Sequence, residues 1–139
     1  MAALCGRWEL VSCDENFDKY MEAVGVSEEK RKLARSALSA EAKLKQELSR
    51  DGSTWSVKVM TPAGEKTDVY PEGKTVQALT LDGRSVSVVY SLEGDQLVEI
   101  QKGSDFESRN VRKVSGDTMT MTFTAHNGVS STRIYKRVS

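Results

Sequence analysis

Proline is nearly absent from this chain. Pro62 and Pro71 are the only two in 139 residues, and no run rich in proline, glycine or serine marks a linker. One domain, 1–139, is therefore expected, long enough to bury a core without disulfide or metal staples. Histidine occurs once and cysteine twice. One histidine and two separated thiols do not make a zinc site, so no metal and no cofactor are expected. His126 stands in "AHNG", an Asn-Gly hairpin turn, which leaves a Ser/His/Asp hydrolase without its base. Cys5 and Cys13 read as parts of one strand, which puts them about 26 Å apart at ~3.3 Å per residue, whereas a disulfide tolerates about 7 Å. Neither has a plausible base nearby in the sequence, so a cysteine nucleophile is the remotest reading and no enzyme is expected.

Charge of one sign is missing too. Twenty basic and twenty acidic residues cancel, which argues against a nucleic-acid partner, whose phosphates call for excess Lys and Arg. No stretch approaches the ~20 apolar residues of a membrane span. The opening "MAALCGRWELV" lacks the basic region and long apolar run of a signal peptide. Free thiols and a cytoplasmic address are the expectation. "DVYPEGKT", residues 68 to 75, ends like a phosphate loop, but Asp68 replaces the first glycine and the segment joins two strands, so it is set aside.

What the chain does have is alternation. Turn signals recur at Asp51-Gly52, Ala63-Gly64, Glu72-Gly73, Asp82-Gly83, Gly94-Asp95, Gly116-Asp117 and Asn127-Gly128. Between them run segments of period two. "TMTMTFTA" puts Met119, Met121, Phe123 and Ala125 on one face; "SVSVVYSL" does so with Val86, Val88, Tyr90 and Leu92. Ten strands are expected, over 6–13, 43–50, 54–61, 65–70, 75–81, 84–92, 96–102, 106–114, 117–125 and 129–138, as an antiparallel sandwich or barrel. Only residues 16–38 break the pattern, with two short helical pieces divided by Gly25. The first carries Phe17, Tyr20, Met21 and Val24 on one stripe. The second starts at Ser27, a plausible N-cap followed by Glu28 and Glu29, and carries Leu33, Ala34, Ala37 and Leu38. Both stripes read as packing faces. Inserted after the first strand of a barrel, the pair would lie across one end as a lid.

These residues carry a family resemblance. "GRWELVSCDENFDKYMEAVGV", "LTLDGRSV" and "VSSTRIYKRV" resemble segments of the fatty-acid-binding proteins, the intracellular lipid-binding family of calycin (lipocalin-like) barrels. The likeness is strong at both ends and weaker between about residues 36 and 70. It implies a mainly β fold, a ten-stranded antiparallel up-and-down β-barrel (clam) capped by a helix-turn-helix. It also implies intracellular binding and transport of long-chain fatty acids or similar carboxylates, including retinoids. In the family's ligand-binding members a terminal Arg-x-Tyr and a second arginine two strands earlier hold the carboxylate. Arg133 and Tyr135 match the first motif, and Arg112 the second, with Arg109 as the alternative register. By the same alignment Met121 and Phe123 line the pocket near the head group, and Phe17, Tyr20, Met21, Val26 and Arg31 match lid and portal positions. Gly6 and Trp8 match a structural pair at the barrel floor.

Departures cluster at the mouth. "VSCDENFD" and "AHNG" are each one residue longer than the family's spacing. Ala63 and Gly64 replace a bulky portal aromatic, Glu28 replaces an apolar residue, and "SAEAKLKQE" lengthens the segment around 36–46. A lone carboxylate in a closed barrel suffers a large desolvation cost. Two arginines and a phenol offset it through charge-assisted hydrogen bonds. An arginine on a strand is ordinarily solvent-facing; the resemblance, with its matching lid and strand order, implies that these turn inward. Glu99 and Gln101 share a face the alignment also turns inward, where an unpaired Glu99 would repel a fatty acid. The expected partner is thus an amphiphilic carboxylate, bound by a monomer. Transient contact with anionic membranes through Lys30, Arg31, Lys32 and Arg35 is a further expectation. The alternative is a barrel of this type acting as a regulatory or protein-interaction module with weak or no small-molecule binding.

Overall fold

A computed structural model describes residues 2–62, 64–80 and 84–138. The strands are β1 (Gly6–Cys13), β2 (Lys45–Asp51), β3 (Thr54–Thr61), β4 (Gly64–Pro71), β5 (Val76–Leu79), β6 (Ser85–Glu93), β7 (Gln96–Lys102), β8 (Glu107–Ser115), β9 (Thr118–Ala125) and β10 (Ser130–Arg137). Two helices, α1 (Phe17–Ala23) and α2 (Glu28–Ala37), fill the connection from β1 to β2. The strands form one antiparallel sheet in the order β4-β3-β2-β1-β10-β9-β8-β7-β6-β5. Pairing of β1 with both β2 and β10 wraps the meander into a nearly closed barrel, the architecture expected from the sequence. The ladder is open between β4 and β5, where the Lys66 ammonium reaches across to the Leu79 carbonyl.

Strand limits fall within two residues of the alternation pattern wherever they are described. Leu81, the Asp82-Gly83 turn and Ala63 of the Ala63-Gly64 turn lie outside the described residues. At the start of β2 the chain departs from the expected strand 43–50. Lys43 adopts φ +55 and its N–H bonds the Ala40 carbonyl at 3.0 Å, so "SAEAKL" closes as a turn and the strand begins at Lys45. That turn drops Leu44 into the core and sends its carbonyl to the Leu10 N–H, 2.8 Å away. In β1 the register against β10 shifts between Leu10 and Ser12; the extra residue, Val11, is turned out to solvent.

The floor is packed by Leu4, Trp8, Leu10, Leu48, Trp55, Leu97 and Met119, all with almost no exposure. Trp8 Nε1 donates to the Leu4 carbonyl at 3.1 Å, and the Arg137 guanidinium lies 4.2 Å from the Trp8 ring centre. At the other end α1 stops in a glycine C-cap. Gly25 has φ +87, its N–H bonds the Glu22 carbonyl, and the Val26 N–H bonds the Met21 carbonyl, the paired bonds of a Schellman turn. Ser27 then caps α2 by accepting from the Lys30 N–H. The α1 stripe faces inward as expected, with Tyr20, Met21 and Val24 buried. The α2 stripe is corrected. Ala34 and Leu38 are buried, but Leu33 is 67% exposed, because the single turn that seats Ala34 and Leu38 points Leu33 away. The side chain of Ala37 lies outside those described. No helix among the described residues is long and apolar enough to cross a membrane.

Candidate functional site

Alternation along the strands decides which side chains enter the barrel. On β8, Ser108, Asn110 and Arg112 are buried while Arg109 is exposed and pairs with Glu93 at 2.9 Å. Of the two arginines the sequence left open, Arg112 is therefore the inward one. Arg112 stands opposite Met121, which in turn stands opposite Arg133, so the three lie in one row across β8, β9 and β10. Tyr135 follows two residues on from Arg133, buried on the same face.

The barrel holds an internal cavity that opens to solvent. Val57, Val59, Val86, Val88, Leu44 and Ala78 give it apolar walls. Phe17, Tyr20 and Phe123 form its roof as an aromatic trio, with ring centres 5.2–6.1 Å apart. Tyr20 also ties the lid to the wall: its hydroxyl lies 2.6 Å from Ser108 Oγ, which donates to Asn110 Oδ1 at 2.7 Å. Lys66, Asp68, Thr80 and Arg84 line the side where β4 and β5 part.

One polar cluster sits inside. Arg112 donates from Nε to Gln46 Oε1 at 2.9 Å, and from Nη1 to Glu99 Oε1 at 3.1 Å and Tyr90 Oη at 3.3 Å. Glu99 is buried and paired, its charge balanced by Arg112. It accepts from Arg112, from the Tyr90 hydroxyl at 3.0 Å and from Gln101 Nε2 at 2.6 Å. Burial alone would push the Arg112 pKa down, but Tyr90, Glu99 and Tyr135 more than offset it, and the group is held above arginine's ordinary value. Burial, reinforced by Glu99, pushes the phenols of Tyr70 and Tyr90 well up, so both remain donors. Those two rings stack 4.3 Å apart.

Arg133 faces a different way. It donates from Nη2 to the Leu38 carbonyl at the end of α2 and from Nε to Cys13 Sγ at 3.3 Å. Its guanidinium lies 4.1 Å from the Phe17 ring centre. The two arginines thus share a row but not a target: Arg112 closes on Glu99, and Arg133 closes on the lid.

Of the residues singled out from the sequence, Arg112, Arg133, Tyr135, Met121, Phe123, Phe17 and Tyr20 all line the cavity. Met21, Val26 and Arg31 do not. Met21 and Val26 are packed within the lid. Arg31 binds the Val26 carbonyl at 2.7 Å and lies 3.4–3.7 Å from Asp18, Glu22 and Glu28, so it latches α1 to α2. Arg35 also pairs with Asp18. Of the four basic residues in α2, Lys30 and Lys32 present exposed side chains, whereas Arg31 and Arg35 are held by acidic residues. Gln46, Tyr90 and Asn110 were missed by sequence reasoning. The signal for Asn110 was the polar face Ser108, Asn110, Arg112 itself; for Gln46 it was its place between Leu44 and Leu48, which share its face at period two. Among the described residues neither cysteine is in a disulfide. Among the described residues no group of three His, Cys, Asp or Glu side chains forms a metal site.

A model of the lipocalin / cytosolic fatty-acid binding protein family matches residues 5–138. The chain is 39% identical over 138 residues to sodium/calcium exchanger regulatory protein 1 of Doryteuthis pealeii, covering 99% of this chain and 98% of that one. It is 33% identical over 137 residues to the intestinal fatty acid-binding protein of Bos taurus, covering 97% and 98%. The solved structure of the REP1-NXSQ fatty acid transporter superposes with a TM-score of 0.87 at 37% identity, covering 100% of this chain and 98% of that one.

Proposed function

The chain belongs to the lipocalin / cytosolic fatty-acid binding protein family, and from that premise we propose that its barrel binds one long-chain fatty acid or close derivative and transports it. The observation that carries this reading is a cavity inside the barrel with apolar walls of Val57, Val59, Val86, Val88 and Leu44 and a buried polar cluster around Arg112 at one end. A flexible chain gains about 0.8 kcal/mol per methylene buried, less the cost of ordering it. The polar end would lie toward Arg112 and Tyr135, with Met121 and Phe123 beside it. Phe17 and Tyr20 would meet the tail near the lid, where Met21, Val26 and Arg31 hold the lid's shape. The reading takes the protein as a cytoplasmic monomer that binds its ligand without chemical change. Lys30 and Lys32, beside the exposed Leu33, supply a contact with anionic membranes during delivery.

Native mass spectrometry of the protein purified from cells tests the reading. One single-chain lipid per barrel is the expected result. An empty barrel that also fails to take up any long-chain acid, alcohol or amide in vitro would refute it. The 39% identity with a regulatory protein favours a second reading, a barrel that acts on another protein. Saturable lipid binding in vitro separates the two, because a pure interaction module shows none.

A further inference from the structure

Glu99 changes what the polar end of the cavity can accept. The Glu99–Arg112 pair is electrically balanced before any ligand arrives, with both side chains at least nine-tenths buried. The arginine has also spent most of its donors. Nε serves Gln46 and Nη1 serves Glu99 and Tyr90, which leaves Nη2 as the one nitrogen without a partner among the described residues. The Tyr135 hydroxyl likewise has none among them. On the acceptor side, Gln101 is buried beside Glu99 with its Nε2 donated to the carboxylate, and its Oε1 has no donor.

A head group placed there meets two spare donors and a spare acceptor around a neutral pair. A hydroxyl or an amide matches these groups in kind: its oxygen can accept from Arg112 or Tyr135, and its O–H or N–H is the kind of donor that Gln101 Oε1 lacks. A carboxylate does neither part well. It brings no proton, and it sets a second negative charge beside Glu99. Arg133 keeps its charge, but its Nη2 and Nε donors are turned to the Leu38 carbonyl and Cys13 Sγ, so a head group at Arg112 takes no hydrogen bond from them.

We propose that this cavity selects a long-chain lipid whose head is uncharged and carries an O–H or N–H, the alcohol or primary amide of a fatty acid over its carboxylate, and that Glu99 sets the preference. The inference rests on the reading of the barrel as a lipid site. The test is calorimetric titration of the full chain, freed of lipid, with dodecanoic acid, dodecan-1-ol and dodecanamide at pH 7.4, repeated on Glu99→Gln. The wild type is expected to bind the alcohol and the amide at least as tightly as the acid. In Glu99→Gln the acid-to-alcohol affinity ratio is expected to rise tenfold or more, because Arg112 is then uncompensated. A wild type that prefers the acid overturns the proposal and leaves the lipid-site reading standing. An acid-to-alcohol ratio that Glu99→Gln leaves unchanged does the same. No binding of any of the three overturns both. Should Glu99→Gln fail to fold, the wild-type order of affinities decides alone.

Discussion

At the scale of single residues, the buried pair inside the barrel is a stability liability as well as a recognition device. Removing one partner of a buried ion pair leaves the other charge uncompensated, at a typical cost of about 3–5 kcal/mol. Arg112→Met should therefore lower the free energy of unfolding in urea by about 3 kcal/mol or more. The double substitution Glu99→Leu with Arg112→Met should lose markedly less, since no charge is stranded. Equal losses would show that packing, not charge, accounts for the effect. Asp14, just after β1, offers a pH handle. Partial burial pushes its carboxyl up, but donation from Ser131 Oγ at 2.7 Å and from the Thr132 and Asn16 N–H groups at 2.8 and 3.1 Å holds it below the ordinary value of 3.8. The unfolded chain then binds this proton more tightly than the folded one. The stabilisation is present above the ordinary aspartate value and is lost as pH falls through the lowered folded value. Asp14→Asn should lower Tm at pH 7, and the gap between the two proteins should close on acidification below that range. A gap independent of pH would assign the effect to shape alone.

At the scale of elements, the lid separates two roles that its basic sequence blends. Arg31 and Arg35 are held by Asp18, Glu22 and Glu28, and they fasten helix to helix. Lys30 and Lys32 project outward beside Leu33. If that face touches membranes, transfer of a fluorescent fatty acid to vesicles should quicken with vesicle concentration and with anionic lipid. It should slow with salt, since exposed charges are screened beyond about 10 Å at 0.1 M. Neutralising Lys30 and Lys32 should flatten the lipid dependence and leave affinity nearly intact, because neither lines the cavity. A rate indifferent to vesicle concentration and charge would mean release through water. Arg31→Gln makes a contrast: it should loosen the lid, seen as faster amide exchange across α1 and α2.

At the scale of the whole molecule, the barrel is unevenly closed. Strands β8, β9, β10 and β1 are each paired along both edges, whereas β4 and β5 are each paired along one. β5 has four residues and, among the described residues, pairs with β6 alone. Local opening should be cheapest there. Hydrogen exchange is expected to be fastest at β5 and the free edge of β4 and slowest across β9 and β10. Uniform protection around the ring would show that contacts such as Lys66 to Leu79 close the seam as firmly as a ladder does.

The sequence by itself determined the inventory and the alternation. Ten strands, a helical break at 16–38 split by Gly25, and the sharing of faces by Met119, Met121, Phe123 and Ala125 all follow from local periodicity and turn chemistry, which a single chain carries in full. It also marked Arg133 and Tyr135, because both stand in a motif only three residues long. What it left open is of one kind. Period two says which residues share a face, but not which face is inside. Arg112 and Arg109 have opposite parity, and only the pairing of β8 with β9 put Arg112 opposite Met121. A ten-residue helix likewise carries too few turns to fix its buried stripe, so Leu33 reads as core until the barrel beneath it is seen. The partners of the buried charges were beyond local reading altogether. Glu99 lies 13 residues from Arg112, Gln46 lies 66 away, and Leu38 lies 95 from Arg133. Hydrogen bonds between such residues depend on strand register and side-chain direction at once, and both exist only after the sheet has closed.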